Sequence, residues 1–328
     1  MKSLSQIRFY LNKKQNMKTV GIIGGSGFIG SYTTRKFLEE GFNVKVSVTD
    51  IKKSEKYQHL FNLENSDSLN ISPLKVENLE ALKDFISDCE IVVHGGTPFQ
   101  LDVKDPQSEL FDPTIKGTEN FLEALKESSL IEKVVFIASV AAWNTNFPLP
   151  SFGKTNSESF NESDKKYINS ESHPYAQAKF IANQTVEKFI QDNPNLSYEI
   201  TSVSPVGVMG KSLSKREDST STGLQFLIKN KIAPNPFVQM LYDINAEFAL
   251  VDVEDVAEAI FKAATISGLH NKNYLLSSET YTISDMNLML NHQPSQHKGK
   301  IIYENALASK ELQMKFSPIQ QALYSYSQ

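Results

Sequence analysis

In the stretch "ESHPYAQAKF" (171–180), Tyr175 stands four residues ahead of Lys179. On a helix, residues at that spacing share a face, which sets a phenol beside an ammonium. A free tyrosine holds its proton up to about pH 10, too high to shuttle it easily near neutrality. A neighbouring cation favours the phenolate and brings the group nearer the working pH. Such a pair can give a proton to the alkoxide that forms when hydride adds to a carbonyl. Two ordinary neighbours on a helix surface share the same spacing, so the pair alone leaves both readings open.

A second constellation is "IIGGSGFIGS" (22–31). It follows the short apolar run "TVGII" (19–23) and leads into a segment with helical spacing at Ile29, Thr33 and Phe37, ended by Gly41. Two glycine registers overlap here, Gly24-x-x-Gly27-x-x-Gly30 and Gly25-x-Gly27-x-x-Gly30. Glycines at a strand-to-helix turn let the backbone approach a pyrophosphate, and the helix N-terminus offers N–H groups and a favourable dipole. The strand before and the helix after are the context that makes the motif specific. Gly24, Gly25, Ser26, Gly27, Phe28, Ile29 and Gly30 are therefore expected to hold a dinucleotide.

The elements that must position these groups alternate along the chain. Strand-like runs recur at "VKVSV" (44–48), "ISPLKV" (71–76), "EIVVHGG" (90–96), "KVVFIAS" (133–139) and "YEITSVSP" (198–205). Helix-like stretches such as "LEALKDFI" (79–86) and "TIKGTENFLEAL" (114–125) separate them. Continuous β-branched runs between helices mean parallel strands buried on both faces, hence an α/β doubly wound parallel sheet of the Rossmann type. Residues 1–16 are basic and free of acid, and read as an extension ahead of Met17. Residues 17–205 read as the dinucleotide-binding domain. Residues 206–328 read as a smaller, mainly substrate-binding region, with about 248–268 returning to the first domain. Within it, 210–222 is polar and loop-like, Pro234 and Pro236 break the chain, and helical spacing returns in "VEDVAEAIFKAA" and "ISDMNLMLN". The polar stretch 151–172 is long for a loop, and so is either functional or mobile.

Taken in order, "GGSGFIG", "EIVVHGGTPFQ", "DPTIKGTENFLEAL", "KVVFIASVAA", "HPYAQAK" and "FALVDVEDVAEAI" resemble the extended short-chain dehydrogenases/reductases. The likeness is to the branch of dihydroflavonol reductase, cinnamoyl-CoA reductase and related aldehyde or ketone reductases, whose "HxATP" and "FTSSAGT" are similar to "HGGTP" and "FIASVAA" here. It covers the chain from about Met17 onward and weakens beyond residue 210. The resemblance implies catalytic roles for Ser139, Tyr175 and Lys179, and puts Thr114 where other short-chain enzymes often carry asparagine. It places Gly95, Gly96, Thr97, Pro205 and Val208 along the cofactor, and Glu77 and Asn78 beside its adenine. Lys179 can also reach the nicotinamide ribose. Chemistry supports Ser139 independently, because the carboxyl end of a sheet strand is where such folds bind ligands and a hydroxyl there can bond a developing oxyanion.

The cofactor reading leans to NADP, with NAD possible. Asp50 lies about twenty residues past Gly30, where the generic rule has a ribose acceptor and favours NAD. By register, however, Thr49 and Asp50 fall on the Arg-Asp pair of the NADP-dependent branch, and Lys56 on one of its lysines. Lys52 and Lys53 add charge that can pair with a 2′-phosphate, or simply coat a solvated face.

The remaining observations narrow the partners. The chain has 328 residues, 40% hydrophobic and 22% charged, with a formal charge of −5 and no polybasic tract. Nucleic acid and membrane are thus poor partners, and a small carbonyl or alcohol substrate is expected. A single cysteine, Cys89, excludes a disulfide framework and suits a cytoplasmic setting. Six histidines show no ligand spacing with carboxylates, so no metal is expected. A homodimer is compatible with the resemblance. His94 reads as structural, and His173 as a residue near the substrate mouth. Trp143, Phe147 and Tyr167 either meet an apolar substrate or pack in the core. Two other functions compete: a nucleotide-sugar epimerase or dehydratase that retains NAD, for which Lys211, Lys215 and Arg216 could serve the substrate diphosphate, and a redox sensor that binds without turnover. Sensors of that kind usually lose the tyrosine–lysine pair, which this chain keeps.

Overall fold

The computed structural model describes residues 17–95, 105–155, 157–215 and 219–326. Gly96, Thr97, Arg216 and the extension 1–16 lie outside the described residues.

The β-branched run Thr19–Ile23 forms β1. Asn43–Val48, Leu69–Pro73, Ile91–His94, Lys133–Ile137 and Glu199–Pro205 follow as β2 to β6. With β9 (Lys272–Leu276) they make a parallel sheet in the order β3-β2-β1-β4-β5-β6-β9. Strands are added on one side of β1 as far as β3, then on the other from β4. The crevice outside the carboxyl ends of β1 and β4 is therefore the switch point where such sheets take ligands.

Alternation along the strands feeds two apolar layers. Val20, Ile22, Val44 and Val46 pack with Phe37 and Leu38 of α1 (Phe28–Glu39) and with Val256 and Ile260 of α7 (Val253–Thr265). Ile23, Val92, Val134 and Ile200 join a separate cluster. Its helices are α2 (Leu79–Ile86), α3 (Asp112–Lys126) and α4 (Pro174–Asp192), through Phe85, Phe121 and Val186. Cys89 is wholly buried in this second layer. Among the described residues no helix is long and apolar enough to cross a membrane, and no cluster of His, Cys, Asp and Glu could hold a metal.

A second, three-stranded sheet holds β8 (Glu247–Asp252) between β7 (Gly207–Met209), parallel to it, and β10 (Glu279–Thr282), antiparallel. Around it lie α5 (Thr220–Asn230), α6 (Pro236–Asp243), α8 (Ile283–Leu290) and α10 (Ile319–Tyr326), with α9 (Ala306–Glu311) against β9.

Three local expectations change. The strand expected over 71–76 begins at Leu69 and ends at Pro73, where the Leu74 N–H turns to the Val48 carbonyl at 2.8 Å. The polar segment 210–222 is not all loop, because Ser219 caps a helix that starts at Thr220. Pro236 opens a helix rather than only breaking the chain: proline suits the first helical position, and the Asn235 carboxamide accepts from the Val238 N–H at 3.0 Å. The described residues of the 151–172 stretch are irregular but pinned. Phe160 is buried, its N–H donates to Ile302 O at 2.7 Å, and its carbonyl accepts from Glu304 N at 2.8 Å. Glu162 accepts the Leu275 N–H at 2.9 Å, covering a ladder group on the outer edge of β9.

Candidate active site

The first part of the site is the turn between β1 and α1. Gly24 has φ +82°, a left-handed conformation that favours glycine. Its carbonyl accepts from Gly27 N at 3.0 Å, closing the turn. Gly27 is the N-cap of α1 and supplies no side-chain cap, so the first N–H groups of the helix have no such partner. A Cβ on Gly30 would lie 2.1 Å from Gly24 O and 2.7 Å from Gly25 Cα. Helix and turn therefore touch backbone to backbone, and the concavity this leaves fits a pyrophosphate. Ser26 is buried in the turn, while Phe28 and Ile29 are partly exposed. Gly30→Ala is expected to force α1 off the turn at a cost of about 1–3 kcal/mol. Thermal unfolding and dinucleotide titration would show a lowered midpoint together with weakened binding.

The far end of the crevice lies past β2. Thr49 and Asp50 are exposed there, followed by exposed Lys52, Lys53 and Lys56. The Asp50 carboxylate accepts from the Lys52 N–H at 2.9 Å, so it closes its own turn. Asn78 is likewise engaged locally, its side chain capping α2 through Ala81 N at 3.1 Å. The Glu77 carbonyl accepts from Asn120 Nδ2 at 2.8 Å, joining α3 to this loop.

The third part gathers Ser139, Tyr175 and Lys179. Ser139 follows β5; its hydroxyl accepts from Ala141 N at 3.2 Å and lies near enough to the Tyr175 phenol to favour its ionised form. Pro174 opens α4, and His173 caps it with Nδ1 accepting from Tyr175 N at 3.2 Å. Lys179, one turn on and buried, donates Nζ to Ile137 O at 3.3 Å and lies 6.0 Å from the Tyr175 ring centroid.

Burial brings the Lys179 ammonium down to about 8. Burial raises the Tyr175 phenol above its ordinary value, while Ser139 acts in the opposite direction. This differs from the expectation that the lysine pulls the phenol down. The ammonium is turned to the Ile137 carbonyl, and burial is the larger influence on the phenol.

Other expected residues fall around this group. Thr114 on α3 is buried, and its Oγ1 has no hydrogen-bond partner among the described residues. Gly95 follows β4 at the switch point, its N–H on Ile23 O at 3.0 Å. Pro205 and Val208 are buried at the end of β6 and in β7. His94 is enclosed by Phe121 and Phe136, with ring centroids at 4.6 and 5.2 Å. Burial, helped by the nearby Lys179 charge, lowers it to about 3, which keeps the imidazole neutral and poor as a base. Trp143 and Phe147 belong to the core, Phe147 meeting Phe248 edge-on at 5.0 Å. Tyr167 stacks on exposed Phe152 at 5.7 Å. The sequence reading missed Phe237, which α6 brings within 6.4 Å of the His173 ring. No local signal marks it, because a tertiary contact alone places it there.

A doubly wound sheet with a glycine cradle at its switch point, and a serine, tyrosine and lysine beyond the neighbouring strand, defines a dinucleotide-binding α/β protein. The model of the NAD dependent epimerase/dehydratase family matches residues 20–277, and the chain belongs to that family. Cinnamoyl-CoA reductase CAD2 of Medicago truncatula is 30% identical over 256 residues, 76% of this chain and 74% of that protein. An anthocyanidin reductase of Vitis vinifera is 26% identical over 292 residues, 86% and 82% of the two chains. Among solved structures, yeast methylglyoxal/isovaleraldehyde reductase Gre2 complexed with NADPH has a TM-score of 0.78 at 23% identity, covering 94% of this chain and 97% of that one. UDP-glucose-4-epimerase of Stenotrophomonas maltophila with bound NAD has a TM-score of 0.74 at 13% identity, over 95% and 97%. Both of these likenesses are of fold.

Proposed function

We propose that this protein is an NADPH-dependent oxidoreductase that reduces a small or medium aldehyde or ketone to an alcohol. The observation that carries the reading is the gathering of Ser139, Tyr175 and buried Lys179 in one place, beyond the same sheet edge as the glycine cradle. The curated relatives, which are reductases, support it. When bound, the dinucleotide supplies the hydride. Ser139 hydrogen-bonds the carbonyl oxygen as charge develops on it, and Tyr175 gives that oxygen its proton. Lys179 holds the nicotinamide ribose and favours the phenolate that Tyr175 becomes. The cradle residues 24–30, with Gly95–Thr97, Thr114, Pro205 and Val208, line the cofactor. Thr49, Asp50, Lys56, Glu77 and Asn78 take its adenosine end.

In this reading residues 17–205 carry the cofactor and 206–328 mainly shape the substrate pocket, apart from about 248–268, whose helix α7 packs on α1. A cytoplasmic setting and a homodimer belong to the same reading, the first supported by a lone buried cysteine.

The exposed lysines after β2 support NADP over NAD, as does the NADPH complex of the structural neighbour. Lys56→Ala is expected to raise the KM for NADPH about tenfold, the worth of one charged hydrogen bond, and to leave that for NADH unchanged. The test of the whole reading is absorbance of NADPH and NADH over a panel of aldehydes and ketones. Turnover supports it. Tightly retained NAD with no net oxidation would replace it with an epimerase, and binding without turnover on carbonyls and sugar nucleotides alike would replace it with a sensor.

A further inference from the structure

The chain leaving β7 is clamped against α1 by two separate side chains. Tyr32, buried on α1, donates its hydroxyl to the backbone carbonyl of Lys211 at 2.7 Å. One residue earlier, the wholly buried Gln225 of α5 grips both backbone groups of Gly210. Its Oε1 accepts from Gly210 N and its Nε2 donates to Gly210 O, each at 3.0 Å. These bonds fix the backbone at 210–211 and leave the Lys211 side chain exposed, with no ion pair or hydrogen bond to any described residue.

The clamp faces the cradle end of α1. Helical side chains lean towards the N-terminus, so the Tyr32 hydroxyl lies over the preceding turn. Its ring meets that of Phe28, the first residue of the helix, edge-on at 6.2 Å. The backbone of Lys211 is thus held beside the helix end whose N–H groups face the cradle. A compact ammonium on a flexible four-carbon stem suits a phosphate there as a point charge.

Resting on the reading of the cradle as a dinucleotide site, we propose that Lys211 is a further cofactor-binding residue whose ammonium pairs with the pyrophosphate. It serves NADPH and NADH alike, because both carry that group. It also ties dinucleotide binding to the region after residue 205, since its anchor Gln225 lies on α5.

The test is fluorescence titration of NADPH and NADH into wild-type protein, Lys211→Ala and Lys211→Arg, at low and high salt. The expected result is weaker binding of both dinucleotides to Lys211→Ala by the same factor of about three to ten, shrinking at high salt. Lys211→Arg should restore most of the affinity. Affinities unchanged in Lys211→Ala would make the lysine an ordinary surface residue and overturn the proposal. A loss confined to NADPH would also overturn it, by assigning the charge to the 2′-phosphate. Wild-type protein that bound neither dinucleotide would overturn the underlying reading as well, which separates the two failures.

Discussion

Tyr175→Phe is expected to lower kcat/KM for carbonyl reduction by about 10²- to 10⁴-fold, the range a positioned general acid contributes. The substitution keeps the ring and removes only the phenol, so packing at the head of α4 is retained. The phenolic oxygen is the group that Ser139 acts on, and the backbone N–H of the same residue is held by His173. Losing one hydrogen bond costs about 1 kcal/mol of stability, too little to account for a thousandfold loss of rate. Dinucleotide titration should therefore give nearly unchanged affinity in the variant that has lost turnover. Retention of wild-type kcat/KM would remove Tyr175 from the acid/base role and leave the pair as helix neighbours.

Lys179→Met should produce a comparable loss with a different signature. Burial holds the ammonium at about 8, against an ordinary value of 10.5. The charged form, which in the proposed role favours phenolate and holds ribose, exists below about 8 and disappears above it. The kcat/KM for reduction should be level below that pH and fall tenfold per unit beyond it, if no other group intervenes. The variant should show a rate lower by about 10²-fold and no limb near 8. Stability carries the opposite sign. A lysine with a lowered value in the folded state binds fewer protons there than when unfolded, so its penalty is fully present below about 8 and fades as pH rises to 10.5. Lys179→Met should melt above wild type at pH 7, with the gap closing towards pH 10.5. A gap that stayed constant with pH would show that the lysine is not titrating in its burial.

The Rossmann half was legible because its signals are local. A β-branched run, a glycine turn and a helical repeat occupy consecutive residues, and short-range sterics determine what each becomes. The region after residue 205 was less so. Asn235 capping a helix that begins at Pro236 has a local signature that was read only as a break. The pairing of β7 with β8 spans dozens of residues and leaves no periodic mark. The 151–172 strap was legible only as unusual, since the strand edges and carbonyls that pin it come from residues after 270.

The candidate site divides in the same way. Tyr175 and Lys179 could be paired on paper because one helical turn sets them on one face. Ser139, thirty-six residues earlier in number, joins them only because β5 and α4 pack together. The direction of the protonation shifts was also beyond the sequence. Spacing says that an ammonium is near a phenol, but whether attraction or burial wins depends on the 6.0 Å from Nζ to the ring and on the Ile137 carbonyl that holds the lysine. Lys211 stood in the sequence as a charge in a polar stretch. Only the clamps of Tyr32 and Gln225, from elements on either side of it in the chain, fix its backbone against α1. By itself, then, the sequence determined the elements, the family and the chemical types available, because these depend on neighbours within one or two turns. The tertiary structure decided which of those groups meet and how burial tunes them, because contacts and desolvation depend on packing between distant segments.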